Sequence, residues 1–265
     1  MNLTMRITSL NLRGFFDWEQ RSQRVIEFLR HTDPDVILFQ EVVYLPDESP
    51  FSPVELLNRS LVYPYRHSAI TRLQASPTYG VYREGLAVLS RLPIPSTEAL
   101  VLRHEDHDPH HRIVQFVDVQ AGPVTHRLAD VHLSVRDDFA LHHLQEVLAI
   151  LADRGEQRII GGDFNVNHLE QYRALWRDDY VLTSDIEQYV SYPHSQQAND
   201  YFLVPKTYAI GEISLSSNDL SDHRALTVDL TPVAADAPPR STAVRSEPSA
   251  SAAVQSAVST PAVTG

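Results

Sequence analysis

At 265 residues with 43% hydrophobic content, the chain has room for one large domain or two small ones around a real core, which excludes wholesale disorder. Its 22 basic residues against 34 acidic ones give a formal net charge of −12, a field that repels polyanions unless cations intervene. This counts against a loose nucleic-acid coat protein, though not against an enzyme that neutralises phosphate locally. The sequence has no cysteine, so disulfide scaffolds, cysteine zinc sites, iron–sulfur clusters and thiol nucleophiles are excluded, and any metal must be held by oxygen or imidazole. No run approaches the roughly 18 uncharged apolar residues of a membrane span, and Met1-Asn2-Leu3-Thr4-Met5-Arg6 has no basic segment leading into an apolar run. A cytoplasmic chain without stable membrane insertion is expected. Lys206 is the only lysine, a bias toward arginine that codon composition explains more simply than phosphate binding.

The chain opens on a strand pattern, Arg6-Ile7-Thr8-Ser9-Leu10-Asn11-Leu12. Asp17 and Gln20 have capping-box spacing, and Trp18, Val25 and Leu29 then share one helical face until Asp33-Pro34 stops it. Val36-Ile37-Leu38-Phe39 reads as a buried strand ending in Gln40-Glu41, and Ser52-Pro53-Val54-Glu55 as a second helix start, with proline at the first helical position. Strands are predicted near 65–72, 84–90, 111–119 and 124–133. A helix over 138–153 follows, with Ala140, Leu144, Val147, Leu148 and Leu151 on one stripe. Arg158-Ile159-Ile160-Gly161 then leads into Gly162-Asp163-Phe164-Asn165, and strands near 199–204, 208–215 and 224–230 close the body. Many strands with helices that each need a sheet to cover predict a four-layered α/β sandwich, two mostly antiparallel packed β-sheets flanked by helices. From Pro232 to Gly265 the composition turns to Ala, Ser, Pro, Val and Thr with no aromatic residue, so 1–231 is expected to be the catalytic body and 232–265 a disordered tail. Within the tail Arg240 and Arg245 balance Asp236 and Glu247, which leaves the net charge to the body.

Polar clusters interrupt the apolar strands at their ends, where side chains can face a cleft. They are Asn11, Glu41, His132 in Ala129-Asp130-Val131-His132-Leu133-Ser134, the Gly161-Gly162-Asp163-Phe164-Asn165 group, and Ser221-Asp222-His223-Arg224. Singly, each is an ordinary turn former or surface residue; together they are an acid–amide–imidazole set without a phosphate loop and without cysteine. Two other histidine clusters are set aside. His104-Glu105-Asp106-His107-Asp108-Pro109-His110-His111 reads as a solvated hairpin loop without fixed ligand geometry, and of His142-His143 at most one can face the core.

In order and spacing, Leu10-Asn11-Leu12-Arg13, Asp35-Val36-Ile37-Leu38-Phe39-Gln40-Glu41, Glu84-Gly85-Leu86-Ala87-Val88-Leu89-Ser90-Arg91, Val131-His132-Leu133, Gly162-Asp163-Phe164-Asn165, Asn199-Asp200-Tyr201 and Ser221-Asp222-His223 resemble the endonuclease/exonuclease/phosphatase superfamily of metal-dependent phosphoesterases across roughly residues 5 to 230. The resemblance implies Mg²⁺, with Mn²⁺ as a substitute, held principally by Glu41, with Asn11 beside it touching metal or phosphate and Asp222 as a further ligand. It implies that Asp163 orients and deprotonates the attacking water, that Asn165 holds the phosphate or nucleophile, and that His223, oriented by Asp200, stabilises the pentacoordinate phosphorane or protonates the leaving oxygen. His132 is the second cleft histidine, with Glu84 pairing with it as in the deoxyribonuclease-like members. Arg112 is a candidate phosphate clamp, and Tyr192, which stands where the family often has tryptophan or phenylalanine, a candidate stacking residue. Asn199 departs from the family pattern, since an apolar residue usually precedes the aspartate. A nuclease acting on phosphodiesters as a monomer is the first expectation. The alternative is a phosphodiesterase or phosphatase on a lipid headgroup or inositol phosphate, for which Tyr44-Leu45-Pro46 through Phe51 and Leu61-Val62-Tyr63-Pro64-Tyr65 are the only apolar docking candidates. A non-catalytic scaffold is disfavoured, because Asn11, Glu41, Asp163, Asn165, Asp222 and His223 are all present.

Overall fold

The computed structural model describes residues 4–45, 49–76, 80–104, 106 and 111–233. The expected tail therefore lies outside the described residues, apart from Val233 and from Pro232, which closes the last strand. In chain order the elements are β1 (Met5–Asn11), α1 (Trp18–Thr32), β2 (Val36–Tyr44), α2 (Pro53–Leu61), β3 (Tyr65–Ser76), β4 (Gly80–Ser90), β5 (Ser96–Val101), β6 (Ile113–Ala121), β7 (Val124–His132), α3 (Asp137–Asp153), β8 (Ile159–Asp163), a 3₁₀ helix (Leu169–Leu175), β9 (Tyr180–Leu182), α4 (Thr183–Ile186), β10 (Asp200–Pro205), β11 (Tyr208–Leu215) and β12 (Leu226–Pro232).

The strands form two six-stranded sheets, ordered β11-β12-β1-β2-β4-β3 and β5-β6-β7-β8-β10-β9. Each is antiparallel except for one central parallel pair, β1 with β2 and β7 with β8. A parallel neighbour requires a long crossover, which α1 and α3 supply. The chain thus uses the same strand–helix–strand unit twice, a likeness that the sequence shows only as similar polar clusters at strand ends.

Alternation along β2 shows how the layers are made. Ile37 and Phe39 pack with Val25, Leu29, Val54 and Leu57 of α1 and α2, whereas Val36 and Leu38 pack with Val117, Leu128, Ile159 and Phe202 of the other sheet. On the far side Ala140, Leu144, Val147 and Leu151 of α3 cover Val114, Phe116 and Ile160. The order is helix, sheet, sheet, helix, and both faces of each sheet are covered.

Several local expectations need correction. Asp17 does not cap α1: it sits in the left-handed region at φ 49° and its side chain accepts no cap bond. The capping box forms at α2 instead, where the Ser52 side chain accepts from Glu55 N and Glu55 Oε2 accepts from Ser52 N. β3 and β4 run past the predicted ends at 72 and 84 as one long hairpin. β5 and β9 were not anticipated, since β5 is exposed along nearly its whole length and β9 is only three residues long, so neither carries a burial pattern.

Candidate active site

The carboxyl ends of the two parallel pairs meet across the sandwich, and the polar clusters converge there. Asn11 ends β1, paired in register with Gln40 on β2; His132 and Asp163 end β7 and β8 opposite each other; Asp200 starts β10 opposite Asp163. Glu41 stands in a bulge of β2, between Phe39 and Val42, with φ 51°. A bulge re-aims a side chain, and a non-glycine residue held in the left-handed region is a local cost that the surrounding sheet must sustain. A cavity of about 330 Å³ opens at this point, lined by Glu41, His132, Asp163, Asn165, Tyr192, Asp222 and His223. A larger hollow beside Phe15 and Trp18 contains none of these residues.

Asn11 is buried and holds two carboxylates together: its Nδ2 donates to Glu41 Oε1 at 3.2 Å and to Asp163 Oδ2 at 3.0 Å. Its Oδ1 accepts from Arg13 N at 2.9 Å. Asn11 therefore braces the carboxylates from behind and does not line the cavity where a ligand or phosphate contact was expected. Asp163 is the hub, since its Oδ2 also lies 3.6 Å from His132 Nε2 and 3.8 Å from His223 Nε2, while Oδ1 accepts from Asn165 N at 3.0 Å. Burial, partly offset by the charge of His223, pushes Asp163 up to about 6. Burial and the nearby charge of Glu84 push Glu41 up to about 7.

His223 donates from Nδ1 to Asp200 Oδ2 at 2.8 Å, which leaves Nε2 on the side of Asp163. Burial pulls this histidine down, but the charges of Asp200 and Asp163 outweigh it and the net result is a rise to about 10. The Tyr192 ring lies 4.7 Å from the His223 ring at 44°, at the cavity wall. Ser191 Oγ accepts from both Asn199 N and Asp200 N at 3.0 Å, so the Tyr192 segment and the Asp200 strand are one unit. Asp222 accepts from Ser221 Oγ at 3.0 Å and pairs with Arg13 Nε at 3.2 Å. Asn165, at φ 53°, anchors its own amide on Leu133 O at 3.1 Å.

Two expectations fail. Arg112 is only 2% exposed and does not line the cavity, so it cannot clamp a phosphate there; it lies behind His132. The pairing of Glu84 with His132 is also replaced, because Arg112 stands between them, 3.7 Å from Glu84 Oε1 and 3.0 Å from His132 Nδ1. Glu84 is shared with Arg72, whose Nη2 lies 3.3 Å from Oε1, and the charges of Asp163 and Glu41 also act on Arg112. Of the histidines set aside, His143 is the buried one, bonded to Arg103 O at 2.9 Å, and His107 and His110 lie outside the described residues.

Sequence reasoning missed Val135, Asp137, Asn167 and Gln197 of the lining, and noted Asn199 only as a departure from the family pattern. Asn199 is a wall residue of the cavity, which is why a polar side chain stands there. It also missed Arg21 of α1, buried and donating to Leu220 O at 2.7 Å, Phe16 O at 2.8 Å and Leu12 O at 3.0 Å. That guanidinium ties the loop after Asn11 to the loop before Asp222 and His223, an arrangement with no spacing rule.

The donor set suits a hard divalent cation. Four carboxylates, Glu41, Asp137, Asp163 and Asp222, line one cavity, and Glu41 is held above its ordinary range by desolvation and like charge, a cost that a bound cation would relieve. Asp163, Asp200 and His223 also offer ligand atoms within 4.8 Å of one another, but His223 Nδ1 and Asp200 Oδ2 are already bonded to each other.

The family model described as Endonuclease/Exonuclease/phosphatase family matches residues 8–223. No curated protein matches the chain. Among solved structures, an endonuclease/exonuclease/phosphatase from Beutenbergia cavernae DSM 12333 superposes with a TM-score of 0.74 at 18% identity, over 87% of this chain and 72% of that one. D. rerio TDP2 complexed with single strand DNA product gives 0.65 at 15% identity, over 86% of this chain and 99% of that one. Sphingomyelinase C from Streptomyces griseocarneus gives 0.60 at 16% identity, over 85% and 99%. At such identities these likenesses establish a shared fold.

Proposed function

The chain belongs to the endonuclease/exonuclease/phosphatase family, hydrolases acting on phosphoester bonds, and from that premise we propose that it is a Mg²⁺-dependent phosphodiesterase, active as a monomer, whose substrate is nucleic acid. The observation that carries the reading is the convergence of Glu41, Asp163 and the Asp200–His223 pair on one cavity. Glu41 and Asp222 would hold the cation, with Asn11 keeping Glu41 in place; Mn²⁺ suits the same oxygen donors. The cation when bound supplies neutralisation of the phosphate and Lewis-acid polarisation of its oxygen.

The chain's own residues account for the rest. Asp163 accepts the proton of the attacking water, positioned by its bonds to Asn11 and to the backbone of Asn165. His223 is a cation at neutral pH, so its Nε2–H faces the developing negative charge of the pentacoordinate state and then protonates the leaving oxygen. Asp200 fixes the tautomer that makes this proton available. Tyr192 and Asn199 form the wall that the leaving group passes.

A second reading, a small or lipid-headgroup phosphoester, is supported by the absence of lysine and arginine from the cavity lining and by the acidic chain. The test is turnover by the purified full chain in Mg²⁺ across supercoiled DNA, single-stranded RNA, sphingomyelin and inositol phosphates. EDTA should abolish it, and His223→Ala should lower kcat by about a hundred- to ten-thousandfold. Turnover of lipid or inositol substrates alone would replace the nuclease reading, and full activity in His223→Ala would remove this histidine from the mechanism.

A further inference from the structure

His132 and His223 both point an Nε2 at Asp163, but their other ring nitrogens meet opposite partners. Behind His223 is a carboxylate, Asp200, which accepts. Behind His132 is a guanidinium, with Arg112 Nη1 at 3.0 Å from Nδ1. A guanidinium has five donors and no acceptor, so Nδ1 of His132 can only accept and carries no proton. A neutral imidazole has its single N–H on the other nitrogen, here Nε2, 3.6 Å from Asp163 Oδ2.

The arginine cannot turn away. Arg112 is fully enclosed, its backbone carbonyl accepts from Leu102 N at 2.9 Å, and its head is held by Glu84 Oε1 at 3.7 Å, a carboxylate that Arg72 grips from the other side at 3.3 Å. Two cations and one anion are thus buried in a row behind His132, with a net positive charge against its ring. A proton on Nδ1 would point straight at the Arg112 guanidinium, whereas Asp163 on the other side accepts equally well from a neutral Nε2–H. Burial pulls Arg112 itself only down to about 10, so it remains a charged donor at neutral pH.

We infer that Arg112 is a positioning residue that fixes His132 as the neutral Nε2–H tautomer. This rests on the phosphodiesterase reading above and divides the work of the two histidines. His132 offers a fixed hydrogen-bond donor to a phosphate oxygen through its Nε2–H, and it transfers no proton. The proton to the leaving oxygen is left to His223, whose Nδ1 is held by Asp200. Glu84 acts one step further back, by holding Arg112.

The test is long-range ¹H–¹⁵N correlation spectroscopy of the histidine rings in the full-length protein, with Arg112→Met and Arg112→Lys. In the wild type His132 should show an unprotonated, pyridine-like Nδ1 and a protonated Nε2. Arg112→Met should shift the His132 signals toward a mixture of tautomers and lower kcat about ten- to a hundredfold with KM nearly unchanged. Arg112→Lys, which keeps a donor, should restore much of both. A protonated Nδ1 on His132 in the wild type would overturn the inference, as would unaltered ring signals in Arg112→Met. Should Arg112→Met fail to fold, the wild-type spectrum still decides. A protein that turned over no phosphoester, yet gave the expected ring spectrum, would sink the proposed function and leave the tautomer assignment standing.

Discussion

At the scale of single residues, the candidate site is a set of groups whose pKa values burial and neighbouring charges move away from those they have in water. Asp163 stands at about 6 and His223 at about 10, so in the proposed mechanism base and acid are simultaneously in their working forms between those values. The ratio kcat/KM should therefore rise with pH through about 6 and fall through about 10, and Asp163→Asn should remove the activity whose acid limb it sets. A stopped-assay pH series on both proteins checks this; an acid limb that persists in a residually active Asp163→Asn would assign it to another group. The same shifts act on stability. A carboxyl whose folded value is raised favours the fold in its protonated form, so its contribution is present below the ordinary value and lost as pH climbs through the folded one. For Asp163 and Glu41 that window runs from about 4 to about 7. Cation-free protein should accordingly lose melting temperature across it, and Glu41→Gln should flatten the loss. Mg²⁺ should oppose it at the upper end, since it binds the ionised form. The polar clusters were legible only as a set at strand ends, since singly each reads as a turn former or surface residue, and their roles were implied by the family resemblance. Arg112 was not legible: spacing placed it near the site, but only the packing showed that it faces the back of an imidazole.

At the scale of elements, what positions the site is the pair of parallel strands in each sheet, and the sequence shows these well because strands buried on both faces read as apolar runs. Exposed β5 and short β9 left no such trace, and the failed cap at Asp17 shows a local signal overridden by tertiary demand. Arg21 draws the loop from Leu12 to Phe16 under α1, and the helix enters through a left-handed Asp17 as a result. Gly162 shows the opposite case, in which one residue of a motif is dictated by the element beside it. It lies on β8 at φ 140°, and a Cβ there would fall 2.0 Å from the carbonyl oxygen of Val131, on the strand that ends in His132. Backbone against backbone leaves nothing flexible to yield. Gly162→Ala should destabilise the protein by about 3 kcal/mol or more, from strain and overpacking together. It should also separate Asp163 from His132, lowering kcat in whatever protein remains folded. Denaturant titration and kinetics on the folded fraction check both, and a change below about 0.5 kcal/mol, the range of an innocuous surface substitution, would mean that the two strands move apart at little cost.

At the scale of the whole molecule, two copies of one strand–helix–strand plan face each other, and the cavity lies where their carboxyl ends meet. This explains why the site draws on residues as distant in sequence as Asn11 and His223. The net charge of −12 sits uneasily with that position. Among the described residues the cavity lining adds four carboxylates and no lysine or arginine, so a phosphodiester enters against the field unless cations are present. A polymer and a small diester should feel this differently. In the proposed mechanism both need the cation at Glu41 and Asp222, but only the polymer brings many further phosphates up to an acidic surface, where screening matters. Raising Mg²⁺ beyond the level that saturates turnover of bis(p-nitrophenyl) phosphate should thus continue to lower KM for DNA while leaving KM for the small diester unchanged. Monovalent salt should weaken DNA binding only slightly if binding is confined to the cavity, because no arginine or lysine is among the described residues of its lining to release counterions. Equal Mg²⁺ responses for the two substrates would mean that the polymer never meets the acidic surface, and a steep monovalent salt dependence would require a basic track that this reading lacks. Either result would redirect the search for substrate, the first toward short phosphoesters that fit within the cavity and the second toward arginines beyond its rim.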